Sequence, residues 1–239
     1  MDKEHKIADM LLRATCDFQG ESMRTREFTR DEYRKAESNE ENILRIRVDG
    51  LIAHLASFLT SKIESTDDKI SYQIGLISSF VRTHFLTMDC VLDGDLIEAV
   101  VLTRKQLESL ARLHEIDSKP LNRLFKKTPN ISNVLQGESG RLYRELSEVA
   151  HFSTPRVSEL LHVVDKGEMA GPSLHPRYNK QSHACSDMEY FVAIYFCGWF
   201  VEKLDEWYPD SDLTDERDIL GEAIMLALNC GVLRKPNDT

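Results

Sequence analysis

Residues 65–95 read STDDKISYQIGLISSFVRTHFLTMDCVLDGD, and this stretch decides the fold class. One set of positions recurs at alternating intervals of four and three residues: Ile70, Ile74, Ile77, Val81, His84, Met88 and Val91. That spacing predicts a helix with one face against a core. Ser65-Thr66-Asp67-Asp68 predicts its start, and Asp93-Gly94-Asp95 predicts its end. Because His84 lies within the apolar stripe, we predict a hydrogen-bonded core histidine rather than a functional one.

Two neighbouring segments repeat the pattern on either side. We predict a helix within residues 31–62 that begins at the acidic turn Asp31-Glu32. Its apolar stripe has the same spacing: Leu44, Val48, Leu51, Leu55 and Phe58. A third long helix is predicted from Leu96 to Ile116. Short connections between long helices favour antiparallel neighbours, and therefore a helical bundle.

The bundle is predicted to form a single all-α domain over residues 1–239, with six to eight helices. Glycine (11) and proline (7) are scarce, which disfavours sheets built from short strands and turns. Residues 1–30 predict an N-terminal extension, consisting of one helix and then a loop around Gly20. Residues 31–151 predict the core of the bundle.

The second half of the chain has shorter elements. Residues 120–127 predict a short helix, and residues 138–151 predict a longer one that Ser153-Thr154-Pro155 ends. Scattered glycine and proline predict a loop or small hairpin at residues 164–182. Residues 186–233 predict a C-terminal pair of helices.

The longest apolar run, Tyr190 to Val201, has twelve residues counting Gly198. A membrane-spanning helix needs about 18 or more, so we predict no membrane segment. The run instead predicts a helix that is buried on all sides. Because one chain has few surfaces with which to cover such a helix, we predict a homodimer.

The cysteines and the N-terminus predict a cytoplasmic protein. The five cysteines are scattered and form no C-x-x-C pair, which is typical of a reducing compartment. Residues 1–6 contain no apolar signal segment. His175, His183 and Cys185 match no standard metal-ligand spacing, so we expect neither a metal site nor a cofactor.

The formal net charge is -10, which argues against a general nucleic-acid binder. From Arg104 to Arg144, however, there are nine Lys or Arg and four Asp or Glu. Two interpretations stay open. This basic segment receives an anionic partner such as RNA or a nucleotide, or it is a solvated surface without a partner.

The segment YRELSEVAH, residues 143–151, carries the candidate chemistry. Arg144 and His151 are seven residues apart, nearly two helical turns, and Ser147 lies between them on the same face. A guanidinium binds phosphate in a fork, and an imidazole transfers protons near neutral pH. Together they suffice for RNA cleavage without a metal. His151 would take the 2′-OH proton, and Arg144 would stabilise the charge on the phosphate.

An arginine shortly before a helical histidine resembles the signature of the HEPN superfamily (higher eukaryotes and prokaryotes nucleotide-binding). Residues 96–151 are also similar to a group of uncharacterised bacterial proteins of this type. That group has R-x-x-x-E, here Arg104 to Glu108, and L-S-x-x-x-H, here Leu146 to His151. The resemblance implies a small, commonly dimeric helical bundle. Many such proteins are metal-independent endoribonucleases of toxin–antitoxin, abortive-infection or other defence systems, and others have lost catalysis.

By this resemblance, His151 is the general base, Arg144 contacts the phosphate, and Ser147 assists. Arg104, Glu108 and Tyr143 would then bind substrate or support the site. Glu145, the residue after the arginine, differs from the polar Asn, His or Asp that the family's nucleases favour there.

Structural interpretations of the same residues stay open. Arg104 and Glu108 suit a helix-surface ion pair worth a few tenths of a kcal/mol. Ser147 suits a hydrogen bond to the backbone one turn back, and His151 suits the negative end of its helix. If the two helices pack face to face, both motifs join in one polar network. The alternative function is a non-catalytic helical module that binds a partner protein or a nucleotide.

Overall fold

The computed structural model describes residues 3–63, 67–134, 139–161, 163–165 and 170–234. These residues form an all-α helical bundle with one small hairpin, as predicted. In chain order the helices are α1 (Lys3–Ala36), α2 (Asn39–Ser57), α3 (Asp68–Asp93), α4 (Leu96–Ser118), α5 (Ser139–Ala150), α6 (Arg156–Leu160), α7 (Gln181–Trp207) and α8 (Thr214–Cys230). The hairpin pairs β1 (Val163–Asp165) with β2 (Ala170–Pro172) in antiparallel register.

α1 is one continuous helix, so the prediction of a loop around Gly20 is wrong. A glycine inside a helix costs only about 1 kcal/mol relative to alanine. An ion pair between Arg24 and Glu21, 2.7 Å long, supports the next turn of the helix. One unfavourable residue among helix-forming neighbours is therefore too weak to end the helix.

The first break in the chain falls after α1, so the predicted helix start at Asp31 is also wrong. Ser38 accepts a hydrogen bond from the backbone N–H of Glu41, and the Glu41 carboxylate accepts one from the backbone N–H of Ser38. This reciprocal capping box satisfies two backbone donors at once. It starts α2 at Asn39.

The two helices predicted from the central repeats are confirmed as α3 and α4. Asp67 accepts a hydrogen bond of 2.7 Å from the Ile70 N–H, while Ser65 and Thr66 lie outside the described residues. Gly94 ends α3 with φ at 84°, where a Cβ would lie 2.8 Å from the Arg177 carbonyl oxygen. Glycine is therefore required at this reversal, which returns α4 along α3.

The segment after α4 differs from its prediction. Instead of a helix over residues 120–127, a 3₁₀ turn spans Leu121–Arg123. The Arg112 guanidinium donates to the Leu124 carbonyl at 3.0 Å and to the Lys127 carbonyl. These carbonyls are thus bonded by a side chain, and the segment is fixed to α4 without forming a helix.

The C-terminal helices shift slightly from their predicted bounds. α7 begins five residues before the predicted Ser186. α8 ends at Cys230 rather than Leu233, because Gly231 adopts the left-handed conformation with φ at 81°. Glu138, the predicted start of α5, lies outside the described residues.

α7 lies at the centre of the bundle, packed against α2, α3, α4 and α8. Phe196 and Phe200 are fully buried, and the Phe196 ring stacks on Phe80 at 3.8 Å between centroids. The chain's own helices therefore cover the long apolar run, which does not require a second copy. One core joins residues from the predicted bundle and the predicted C-terminal pair. None of the described helices has the length and apolar character needed to span a membrane.

Candidate functional site

α5 packs against α4 through the buried residues Leu146 and Val149. This packing brings polar side chains of α5 over the half-buried edge of α4. Four residues meet in the seam, and we call them the α4–α5 cluster: Arg104 and Glu108 of α4, Tyr143 of α5, and His151 just after α5.

Arg104 is the centre of this cluster. Its Nε donates to Glu108 Oε1 at 3.2 Å, and its Nη2 donates to the Tyr143 hydroxyl at 3.0 Å. Its Nη1 lies 3.2 Å from Nε2 of His151. The guanidinium carbon also lies 5.1 Å from the centroid of the Tyr143 ring. The Tyr143 hydroxyl in turn donates to Glu108 at 2.9 Å.

The contact indicates which ring nitrogen can act as a base. Arginine can only donate, so in this contact Nε2 of His151 accepts. The tautomer that accepts through Nε2 carries its hydrogen on Nδ1. The described neighbours take three of the five N–H donors of Arg104, which leaves donors for a ligand.

The cluster is open to solvent. The side chains of Arg104 and Glu108 are 21% and 29% exposed, and His151 is exposed. A guanidinium and an imidazole therefore lie side by side, next to the Glu108 carboxylate, on a surface that a polyanion can reach.

The structure pairs His151 with a different arginine from the one proposed on sequence spacing. Arg144 is exposed, and within the described part of the chain it forms no hydrogen bond or ion pair. Ser147 donates to the Tyr143 carbonyl at 2.6 Å, which confirms the backbone interpretation of this hydroxyl. Glu145 lies 3.5 Å from Arg156, so a cation balances its charge.

A second histidine network lies in the core, and we call it the His84 network. His84 bonds Asp49 through Nε2 and Glu189 through Nδ1, both at 2.8 Å. Tyr190 donates to Asp49 at 3.2 Å, and Thr103 donates to Glu189 at 2.9 Å. His84 and Glu189 have no exposed surface, so the prediction of a hydrogen-bonded core histidine is confirmed.

The charges of the His84 network explain its protonation. Burial opposes the charged imidazole, but the hydrogen bonds and charges of Asp49 and Glu189 outweigh it and raise the pKa of His84 to about 9. Neither carboxylate was predicted as a partner of His84. Glu189 had a visible signal, since it is the acidic residue directly before the long apolar run.

The three residues weighed as metal ligands make other contacts. His183 stacks on Tyr33 at 4.7 Å between ring centroids, and His175 packs against Phe18 at 4.6 Å. Cys185 is buried, which raises the pKa of its thiol to about 12. In the described ranges, no group of three or more His, Cys, Asp or Glu is placed to hold a metal ion.

Comparison with known proteins adds no relative: no protein-family model, curated protein or solved structure matches the chain. The HEPN resemblance thus depends on the two motifs, and the function depends on the site itself.

Proposed function

We propose that this protein is a HEPN-like, metal-independent endoribonuclease whose site is the α4–α5 cluster. The single observation that carries the proposal is the contact of 3.2 Å between Arg104 Nη1 and His151 Nε2 on an exposed surface. A proton acceptor and a phosphate ligand are the two groups that metal-free RNA cleavage needs.

In the proposed reaction, the RNA phosphate binds Arg104 and draws its Nη1 away from His151. Nε2 of His151 then accepts the 2′-OH proton, and the 2′ oxygen attacks the adjacent phosphorus. The bond from phosphorus to the 5′ oxygen breaks, and that oxygen takes a proton from the imidazolium. The products are a 2′,3′-cyclic phosphate and a 5′-OH, with His151 neutral again. Arg144 supplies a second cation at the same helix face.

Glu108 and Tyr143 act as positioning residues for Arg104. They hold its Nε and Nη2, which leaves Nη1 facing His151. A guanidinium held on two sides loses little conformational freedom when it binds phosphate.

The test is cleavage of RNA by the purified protein in EDTA, with the ends of the products identified. We expect cyclic phosphate ends, and His151→Ala should slow cleavage by about 100-fold or more. Arg104→Ala should slow it further than Arg144→Ala. His5→Ala, at an exposed histidine on α1, is the control. Full activity in the His151 variant would refute the proposal.

A toxin or phage-defence role in the cytoplasm is the biological setting that the resemblance supports. Expression of the wild type in a bacterial host should then arrest growth, and His151→Ala should relieve the arrest. If growth arrest persists in His151→Ala, the toxicity does not depend on RNA cleavage.

A second candidate function is a non-catalytic module that binds another protein chain, and the first half of α1 favours it. Side chains from residue 4 to residue 19 are exposed, apart from the half-buried Asp9. Four apolar side chains form one stripe there: Ile7, Met10, Leu11 and Phe18. A stripe of this kind pairs with the same stripe of a second copy under two-fold symmetry, which would make the homodimer.

Light scattering tests this dimer with a matched pair of variants. Leu11 and Leu12 are 57% and 64% exposed, but only Leu11 lies in the stripe. Leu11→Asp should halve the molar mass, whereas Leu12→Asp should leave it unchanged. A monomeric wild type would refute the dimer.

A further inference from the structure

An open groove of about 490 Å³ lies between α3 and α4, and we call it the α3–α4 groove. α3 contributes most of its lining, including Gly75 and Arg82, and α4 contributes Lys105. Three hydroxyl side chains complete the polar lining: Ser78, Ser79 and Thr83.

Both charged residues that line the groove are cations. In the described ranges, Arg82 forms no ion pair or hydrogen bond, and it is exposed. Lys105 donates one of its three N–H groups to the Thr83 hydroxyl at 3.1 Å and forms no ion pair there. Several arginines elsewhere on the surface are matched to carboxylates, for example Arg45 to Glu37 at 2.8 Å and Arg30 to Asp89 at 3.0 Å. Two unmatched cations in one groove of an acidic protein favour an anionic ligand.

The chemistry of the groove suits a phosphate group. A guanidinium offers a fork of donors, an ammonium offers a compact charge, and Ser79 adds a hydroxyl. The lining also includes an apolar side chain, Leu86, which is 52% exposed. A ligand with a phosphate and a less polar base or sugar therefore has contacts for both parts.

The groove and the α4–α5 cluster lie on neighbouring flanks of the same helix, since Lys105 lines the groove and Arg104 belongs to the cluster. Arg104 and Lys105 are consecutive residues, so their side chains leave α4 about 100° apart. Seams on either side of one helix are separated by roughly 10 Å, on the order of three nucleotides of a stacked strand. A single strand crossing α4 would meet Arg104 on one side and Lys105 on the other.

We propose that the α3–α4 groove is a phosphate-binding site, with Arg82 and Lys105 as its cationic contacts. Its ligand within RNA is the backbone beside the bond to be cleaved. For RNA as the ligand, the inference rests on the proposed function. A free nucleotide is the other ligand that could supply the phosphate group.

Binding of a single-stranded 2′-O-methyl RNA, which cannot be cleaved, tests the groove. Arg82→Gln combined with Lys105→Gln should weaken binding by about tenfold. It should also reduce the slope of log K against log salt by about 1.4, because each lost phosphate contact removes about 0.7. The control, Lys6→Gln with Lys62→Gln, removes the same charge from exposed positions elsewhere.

Gly75 allows a sharper test within the groove. A Cβ at Gly75 meets nothing within 4 Å, so Gly75→Ala introduces no steric conflict. Gly75→Glu introduces a carboxylate at a residue that lines the groove and should weaken binding about tenfold, whereas Gly75→Ala should bind as the wild type does. Circular dichroism checks that both variants are folded.

Inorganic phosphate and adenosine monophosphate form the second arm. The groove takes free phosphates rather than RNA if the wild type binds inorganic phosphate or adenosine monophosphate but not the RNA. In that case the Arg82/Lys105 double variant and Gly75→Glu should both abolish phosphate binding. Groove variants that bind RNA and free phosphates as the wild type does would overturn the inference. Equal weakening by the Lys6 and Lys62 control would do so too.

His151→Ala separates this inference from the proposed function. It should retain RNA binding and lose cleavage. If it cleaves normally while the groove variants lose binding, the nuclease proposal fails and the groove stands. If the groove variants bind normally while His151→Ala loses cleavage, the groove inference fails and the nuclease proposal stands.

Discussion

The His84 network and the α4–α5 cluster place the same side chain in opposite environments. His84 has no exposed surface and bonds a carboxylate through each ring nitrogen. His151 is exposed and meets an arginine through one ring nitrogen. The first imidazole is charged and enclosed by two acids, while the second lies on the surface and meets Arg104 through only one of its nitrogen atoms.

This difference indicates which histidine stabilises the fold and which is available for chemistry. A buried imidazolium that bonds an acid through each ring nitrogen has no nitrogen left for a substrate. Its loss leaves an unpaired carboxylate in the core. An imidazole on the surface beside an arginine is accessible to a bound anion and has a ring nitrogen that can accept a proton from it. Paired variants in the two regions test the distinction.

The largest expected effect follows from replacing each histidine with alanine. His84→Ala leaves the buried Glu189 without its cation, so the free energy of unfolding should fall by about 3–5 kcal/mol. His151→Ala should change it by less than about 1 kcal/mol. Urea denaturation measures both. Similar losses in the two variants would remove the distinction between the networks.

The next effect is a pH dependence that only the buried network has. The pKa of His84 is raised from 6.5 to about 9, so the folded state holds this proton more tightly than the unfolded state. The resulting stabilisation is complete below pH 6.5 and is lost as pH rises through 9, on the order of 3 kcal/mol in total. Denaturation of wild type and His84→Ala at several pH values measures it. An equal decline in both proteins would exclude His84 as the cause.

A smaller effect comes from removing one hydroxyl in each region. Tyr190→Phe removes a part-buried hydrogen bond to Asp49, so the free energy of unfolding should fall by about 1 kcal/mol, with cleavage unchanged. Tyr143→Phe keeps the ring beside Arg104 but removes the hydroxyl that holds its Nη2, so cleavage should slow by roughly 10-fold. Urea denaturation should therefore detect Tyr190→Phe, and the cleavage assay should detect Tyr143→Phe. If both variants lose the same property, the two regions do not have the separate roles proposed for them.

The smallest effect is expected at Ser147. Its hydroxyl donates its hydrogen to the Tyr143 carbonyl within α5, so that hydrogen is not available to the α4–α5 cluster. Ser147→Ala should change cleavage by less than about twofold, and stability by less than about 0.5 kcal/mol. A tenfold loss of cleavage would restore the assisting role that the resemblance implies for Ser147.

Much of the fold could be predicted because long apolar stripes leave few alternatives. The repeat from Ile70 to Val91 predicted α3, and the glycine and proline of residues 164–182 predicted the hairpin. The N-terminal boundaries were wrong because Gly20 was given more weight than the capping box at Ser38. For a helix end, hydrogen bonds to free backbone groups outweigh the propensity of one residue.

The candidate site was predictable only in part. Spacing along α5 identified His151, and the motif on α4 identified Arg104 and Glu108. A network joining both motifs was one of the alternatives that stayed open, and spacing along α5 could not choose Arg104 over Arg144, because Arg104 is on another helix. Asp49 and Glu189 were missed because each reaches His84 from a different helix, and Arg82 was missed because its groove also needs Lys105 of α4.

The sequence by itself determined an all-α chain, its central helices and its core histidine, because periodicity along a helix is a local property. Only the tertiary structure decided which charges meet across helices. The packing of Leu146 and Val149 against α4 brings Arg104 to His151, and the packing of α7 against α3 brings Glu189 to His84. Contacts between helices depend on their relative rotation and depth, which side-chain packing sets and spacing within one helix does not encode.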